Sequence, residues 1–163
     1  VTATVEINMS EALDKNIKIT LNSDPNIPPV LGNVDHLERM VSNLISNAIH
    51  YTPEYGSVNI KIFSEDNWII LSVADTGIGI PESDLPNIFN DFFRARNARK
   101  FYSSGTGLGL STVYGIVSQN KGFINLYSEP GKGTTFIITL PGVDLTAYNE
   151  EKQAQQKNEW STS

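Results

Sequence analysis

Between Asp35 and Thr52 the chain reads as an amphipathic helix, and that helix constrains everything packed around it. Leu37, Met40, Val41, Leu44, Ile45, Ala48 and Ile49 recur at i, i+3, i+4, i+7, i+8, i+11 and i+12. Such a stripe requires a helix that buries one face only. Asp35, with Glu38 three residues later, has the form of a capping box and predicts the helix start. Pro53 ends the helix, because it lacks a donor and disfavours a helical conformation at Thr52. Asn43, Asn47 and His50 share a second face beside the stripe. Asn is a mediocre helix former, so two of them one turn apart mark either a polar site or a solvated face.

The chain of 163 residues is long enough for one domain with a core of its own. Its 39% hydrophobic and 18% charged residues fit a soluble globular class. It has no cysteine, which excludes disulfides, zinc–thiolate sites and thiol nucleophiles and suits a reducing, cytoplasmic setting. No apolar run approaches the length of a membrane span and the first residues do not resemble a signal peptide, so any membrane tether is expected outside this chain. The net charge of -6 argues against broad nucleic-acid binding but not against a phosphate ligand, which backbone N–H groups can hold.

Before the central helix, Val5, Met9, Ala12 and Leu13 predict a first helix, and alternation around Ile17, Ile19 and Leu21 predicts a strand. After it, Val58, Ile60 and Ile62 alternate, Glu65-Asp66-Asn67 turns, and Ile69, Leu71 and Val73 alternate again, as in a hairpin. Pro81-Glu-Ser-Asp predicts a short helix reaching Phe89. From Phe92 to Gly105 hydrophobic periodicity is lost while Arg94, Arg96, Arg99 and Lys100 crowd together, so a mobile basic loop is expected. A helix carrying Leu110, Val113, Tyr114 and Val117 follows, then a closing hairpin, Phe123 to Tyr127 and Thr134 to Leu140. Residues 142–163 are polar and expected to form a flexible tail beyond a domain of residues 1–141. This order predicts an α+β two-layer sandwich, with a mixed, mostly antiparallel sheet covered on one face by three helices.

Single glycine-rich loops are weak signals. Neither Gly77-Ile-Gly79 nor Gly107-Leu-Gly109 has the third glycine of a dinucleotide fingerprint, and no Gly-Lys-Ser/Thr makes a P-loop. Their combination is more specific. Asn43-Leu-Ile-Ser-Asn47-Ala is followed in order by Asp75-Thr-Gly-Ile-Gly-Ile-Pro81, Ile88-Phe-Asn-Asp-Phe-Phe-Arg94, Gly105-Thr-Gly-Leu-Gly-Leu110 and Gly131-Lys-Gly-Thr-Thr-Phe136. This series resembles the N, G1, F, G2 and closing boxes of the GHKL (Bergerat) ATP-binding fold. That fold is shared by type II topoisomerases, ninety-kilodalton heat-shock chaperones, mismatch-repair ATPases and sensor histidine kinases.

The resemblance implies roles. Asp75 would accept the exocyclic amine of adenine, with Ile78, Ile80 and Ile49 as apolar walls and Gly77 and Gly79 letting the backbone approach the base. Asn47 would place its amide oxygen on Mg²⁺. Gly107 and Gly109 would present N–H groups to the phosphates of ATP, and Arg94, Arg99 and Lys100 would close on them. Tyr51, Gly105, Thr106, Leu108, Leu110 and Thr134 fall in the same implied nucleotide site. Asn43 separates the branches of the family. Hydrolysing members typically carry Glu there to activate water, and a neutral amide cannot act as a general base. Asn43 and the Phe-Phe-Arg94 segment therefore resemble the sensor histidine kinase branch.

His50 departs from that pattern, since many such kinases carry Lys or Arg there and a neutral imidazole holds phosphate less strongly. The phosphoacceptor His of these kinases lies on a separate helical dimerisation domain. Here His36 and His50 both sit on the nucleotide-site helix, so neither fits that role. The resemblance thus implies a catalytic domain that binds Mg²⁺-ATP and phosphorylates that separate domain, with a response regulator downstream. The domain alone would be monomeric and the intact kinase homodimeric, membrane-anchored if at all through segments not present here. A serine kinase of the anti-sigma type, an ATPase and a non-transferring ATP-binding module are the alternatives.

Overall fold

The computed structural model describes residues 1–144. Helix α1 (Thr2–Asp14) leads into strand β1 (Lys18–Ser23), and helix α2 (Val34–Tyr51) follows. Strands β2 (Ser57–Glu65) and β3 (Trp68–Asp75) form a hairpin through Asp66 and Asn67, both at positive φ, as a tight two-residue turn requires. A 3-10 turn (Glu82–Asn87) and a short helix α3 (Arg96–Phe101) precede helix α4 (Gly109–Gln119). Strands β4 (Phe123–Glu129) and β5 (Gly133–Pro141) close the fold. The sheet runs β1-β2-β3-β5-β4, with β1 parallel to β2 and every other pair antiparallel. This is the expected mixed sheet under three helices, α1, α2 and α4.

Every second residue of the inner strands points at the helices. Ile60, Val73 and Phe136 form one cross-strand row, and Ile62, Leu71 and Ile138 the next. Onto these rows α2 lays Met40, Val41, Leu44, Ile45, Ala48 and Ile49, all buried, and α4 adds Val113, Ile116 and Val117. The stripe read from the sequence is the centre of this core.

Four expectations need correction. The N-cap of α2 is Asn33, whose Oδ1 accepts from His36 N at 3.1 Å. Asp35 and Glu38 thus lie inside the first turn, where negative charge favours the helix dipole without capping it. In α1 the buried face is Thr4, Val5 and Ala12, while Leu13 is exposed. The basic segment contains helix α3, which buries Ala98, with Ala95 buried at its N-cap, and both are too small to register as periodicity. Lastly, Gly142 N donates to Asn67 O and Val143 N to Pro29 O, so the first tail residues are tied to the fold. The rest of the predicted tail, 145–163, lies outside the described residues. Among the described residues no helix is long and apolar enough to cross a membrane.

Candidate nucleotide-binding site

Asp75 occupies the next inward position after Ile69, Leu71 and Val73 on β3, in register with Val58 and Thr134. A carboxylate in an apolar row loses hydration, and burial pushes its pKa up from 3.8 to about 6 despite backbone N–H donors from Gly77 and Thr134. Both donors bond Oδ1, at 2.8 and 3.1 Å. Oδ2 accepts nothing from the described residues, so it is available to a donor in the cavity that Asp75 lines. One oxygen therefore shapes the turn and the other is left for a ligand.

The loop after Asp75 is clamped from three sides. Ile78 N donates to Tyr51 O at the end of α2, and Gly131 N donates to Ile78 O. Asn97 Nδ2 of α3 donates to Gly79 O at 2.7 Å, and Ile80 N donates to Ser128 Oγ at 2.8 Å. Gly79 and Gly133 have positive φ, and a Cβ at either would fall 2.1 Å from Glu129 O or 1.9 Å from Asp75 O. Only glycine permits such approaches of backbone to backbone. Asn97 and Ser128 escaped the sequence reading because each is a lone polar residue whose partner is set by tertiary structure.

A cavity of about 310 Å³ opens between this loop, α2, the 94–107 segment and the start of α4. Its lining includes Asn43, Asn47, His50, Tyr51, Asp75, Ile78, Gly79, Ile80, Arg94, Gly105, Thr106, Gly107, Gly109, Leu110 and Thr134. Gly77 lies behind the wall, against Tyr51 O. Leu108, Arg99 and Lys100 are also outside it, the last two on the exposed last turn of α3. Ile49, expected in the wall, is fully buried in the core instead.

At one edge of the cavity Asn43 and Asn47 face the start of α4. A Cβ at Gly109 would lie 3.6 Å from both Asn43 Oδ1 and Asn47 Nδ2. Neither asparagine side chain has a protein partner among the described residues. Helix α4 has no side-chain cap and no acidic residue in its first turn, so its free N–H groups favour an anion there. Phe92 N donates to Gly107 O at 3.0 Å, and the positive φ of both residues lets the two segments cross. No cluster of three His, Asp or Glu suited to a metal exists among the described residues. A hard cation that keeps waters and binds substrate phosphates needs few protein oxygens, and the unpartnered amides fit that demand.

Two predicted groups are engaged elsewhere. The guanidinium of Arg94 donates to Ser103 O at 3.0 Å and to Tyr102 O, with Gly105 packed against it. His50 pairs through Nε2 with Glu11 Oε2 at 3.0 Å. Arg96 is fixed away from the cavity by Asp84, at 3.6 Å, and Ser83.

Residues 32–144 match the model of the histidine kinase-, DNA gyrase B- and HSP90-like ATPase family. The chain is 35% identical over 161 residues to the sensor-like histidine kinase SenX3 of Mycolicibacterium smegmatis, covering 94% of this chain and 42% of that protein. It is 35% identical over 131 residues to the phosphate regulon sensor protein PhoR of Pseudomonas aeruginosa, covering 79% of this chain and 29% of that one. The chain therefore spans less than half the length of these curated relatives. Among solved structures, the mycobacterial sensor histidine kinase MprB superposes with a TM-score of 0.74 at 27% identity, over 88% of this chain and 97% of that one. The nucleotide-free catalytic domain of histidine kinase ThkA gives 0.74 at 26% identity, over 86% and 89%.

Proposed function

The chain belongs to the histidine kinase-, DNA gyrase B- and HSP90-like ATPase family, and from that premise we propose that it is the catalytic ATP-binding domain of a two-component sensor histidine kinase. In the intact protein it passes the γ-phosphoryl group of ATP to a histidine on a separate helical dimerisation domain, and a response regulator takes it from there. The intact kinase works as a homodimer on the cytoplasmic side.

One observation carries the reading. The cavity joins a carboxylate oxygen of Asp75 to an uncapped helix start faced by two amides, and among the described residues neither the oxygen nor the amides have a protein partner. That polarity suits a ligand with a hydrogen-bonding base at one end and phosphates at the other. Asp75 Oδ2 accepts the exocyclic amine, and Ile78 and Ile80 pack on the base. The N–H groups at Gly109 and Leu110 receive the phosphate oxygens. Asn47 supplies the protein oxygen for Mg²⁺, which when bound neutralises phosphate charge. Asn43 cannot take a proton from water, so the site positions the phosphoryl group for an incoming side chain and does not activate water. Arg94 supports the segment at Tyr102 and Ser103, and no phosphate contact is assigned to Arg99 or Lys100.

The test is to offer the chain candidate dimerisation hairpins with ATP labelled at the γ-phosphate. Acid-labile label on a hairpin histidine is expected. Steady phosphate release without an acceptor, or acid-stable label on serine, would replace the kinase reading with an ATPase or a serine kinase.

A further inference from the structure

Tyr102, which lines the cavity, is held by side chains from two parts of the chain, the end of α2 and Arg94. The His50 ring lies almost parallel to its ring, centroids 4.3 Å apart and planes 13° apart. Tyr51 meets it edge-on at 6.1 Å. Arg94 grips its carbonyl oxygen and that of Ser103. Glu11 of α1 in turn fixes the imidazole through Nε2 at 3.0 Å, and that nitrogen is then unavailable to a ligand. Beside it, Lys15 Nζ donates to Ile49 O and His50 O and stands 5.7 Å from the Phe101 ring centre. Glu11 of α1 and Lys15 just after it therefore brace the end of α2 beside the segment that carries Tyr102.

We infer that His50 is a positioning residue, whose ring, oriented by Glu11, fixes Tyr102 as a wall of the cavity before any nucleotide arrives. This rests on the nucleotide reading of the cavity, but it gives His50 a different task from the phosphate-binding cation that the resemblance places there. Two facts favour stacking over charge. The face of the imidazole is covered by Tyr102, and its Nε2 is occupied by a carboxylate. Ordering the wall in advance lowers the conformational cost of binding, so losing the stack weakens affinity.

Three substitutions separate the two roles. His50→Ala removes ring and charge, His50→Phe keeps the ring, and His50→Lys keeps a cation without the ring. Calorimetry with Mg²⁺-ATP is expected to show about three- to tenfold weaker binding for His50→Ala, near-complete recovery for His50→Phe and none for His50→Lys. Hydrogen exchange without nucleotide supplies an independent reading. The Tyr102 amide donates to Ala98 O at 2.9 Å, and its protection should fall in the Ala and Lys variants and return in the Phe variant. Binding that His50→Lys preserves while His50→Phe loses it would overturn the inference, as would unchanged exchange in all three. If the wild-type chain bound no ATP, the proposed function would fail, while the exchange comparison would still decide whether His50 holds Tyr102.

Discussion

Asp75 places a binding group at a structural cost. Its carboxyl is raised from 3.8 to about 6 by burial, so between those values the folded chain holds a proton that the unfolded chain has released. The stability this contributes is full below pH 3.8 and is lost as pH rises through 6. Asp75→Asn removes the buried charge while its amide oxygen can still accept from Gly77 and Thr134. At pH 7.5 the variant should therefore be more stable by up to about 3 kcal/mol, read as a higher melting temperature. It should also bind ATP roughly ten- to a hundredfold more weakly, because an amide N–H₂ replaces the acceptor oxygen. In the wild type, ATP affinity should fall as pH drops below about 6, where the carboxyl protonates. Affinity flat from pH 5 to 8 would remove Asp75 from base recognition. Asn47 makes a separable prediction: Asn47→Ala should weaken ATP binding in the presence of Mg²⁺ and leave its Mg²⁺-free binding largely unchanged, as calorimetry with and without chelator would show.

At the scale of elements, the glycine turns hold the site together through backbone contacts. Gly79 packs on the β4–β5 turn and Gly133 on the end of β3, each at positive φ and with no room for a Cβ. Gly79→Ala or Gly133→Ala should destabilise by about 2 kcal/mol or more in denaturant unfolding. Gly115 lies within α4 with open space around its Cβ position, so Gly115→Ala should stabilise by about 0.5–1 kcal/mol. What was legible at this scale depended on the strength of local patterns. The α2 stripe stood out because seven apolar residues, six of them large, repeat at helical period, and the β2–β3 hairpin because alternation brackets a two-residue turn. Helix α3 did not, since Ala98 is its only buried apolar residue and the rest of the turn is mostly charged. The α2 cap was misplaced by two residues because Asn33 and Asp35 are both competent caps, and only the extended backbone at Asn33 separates them.

Over the whole molecule, the fold brings five short motifs, spread from Asn43 to Phe136, around one cavity. Their order was readable in the sequence, and with it the fold and most of the lining. The long-range support was not. Glu11, Lys15, Asn97, Ser128 and Tyr102 act through partners between 18 and 52 positions away, and none carries a local signature. Nor did the sequence show that Arg94 points its guanidinium at carbonyl groups of its own segment, or that the topology leaves Arg99 and Lys100 outside the cavity. Whether this cavity binds ATP with Mg²⁺ is decided by isothermal titration of the chain with Mg²⁺-ATP. One-site binding that Asp75→Asn weakens is the predicted result, and no binding heat with the folded wild-type chain, over a range of temperatures, would contradict it.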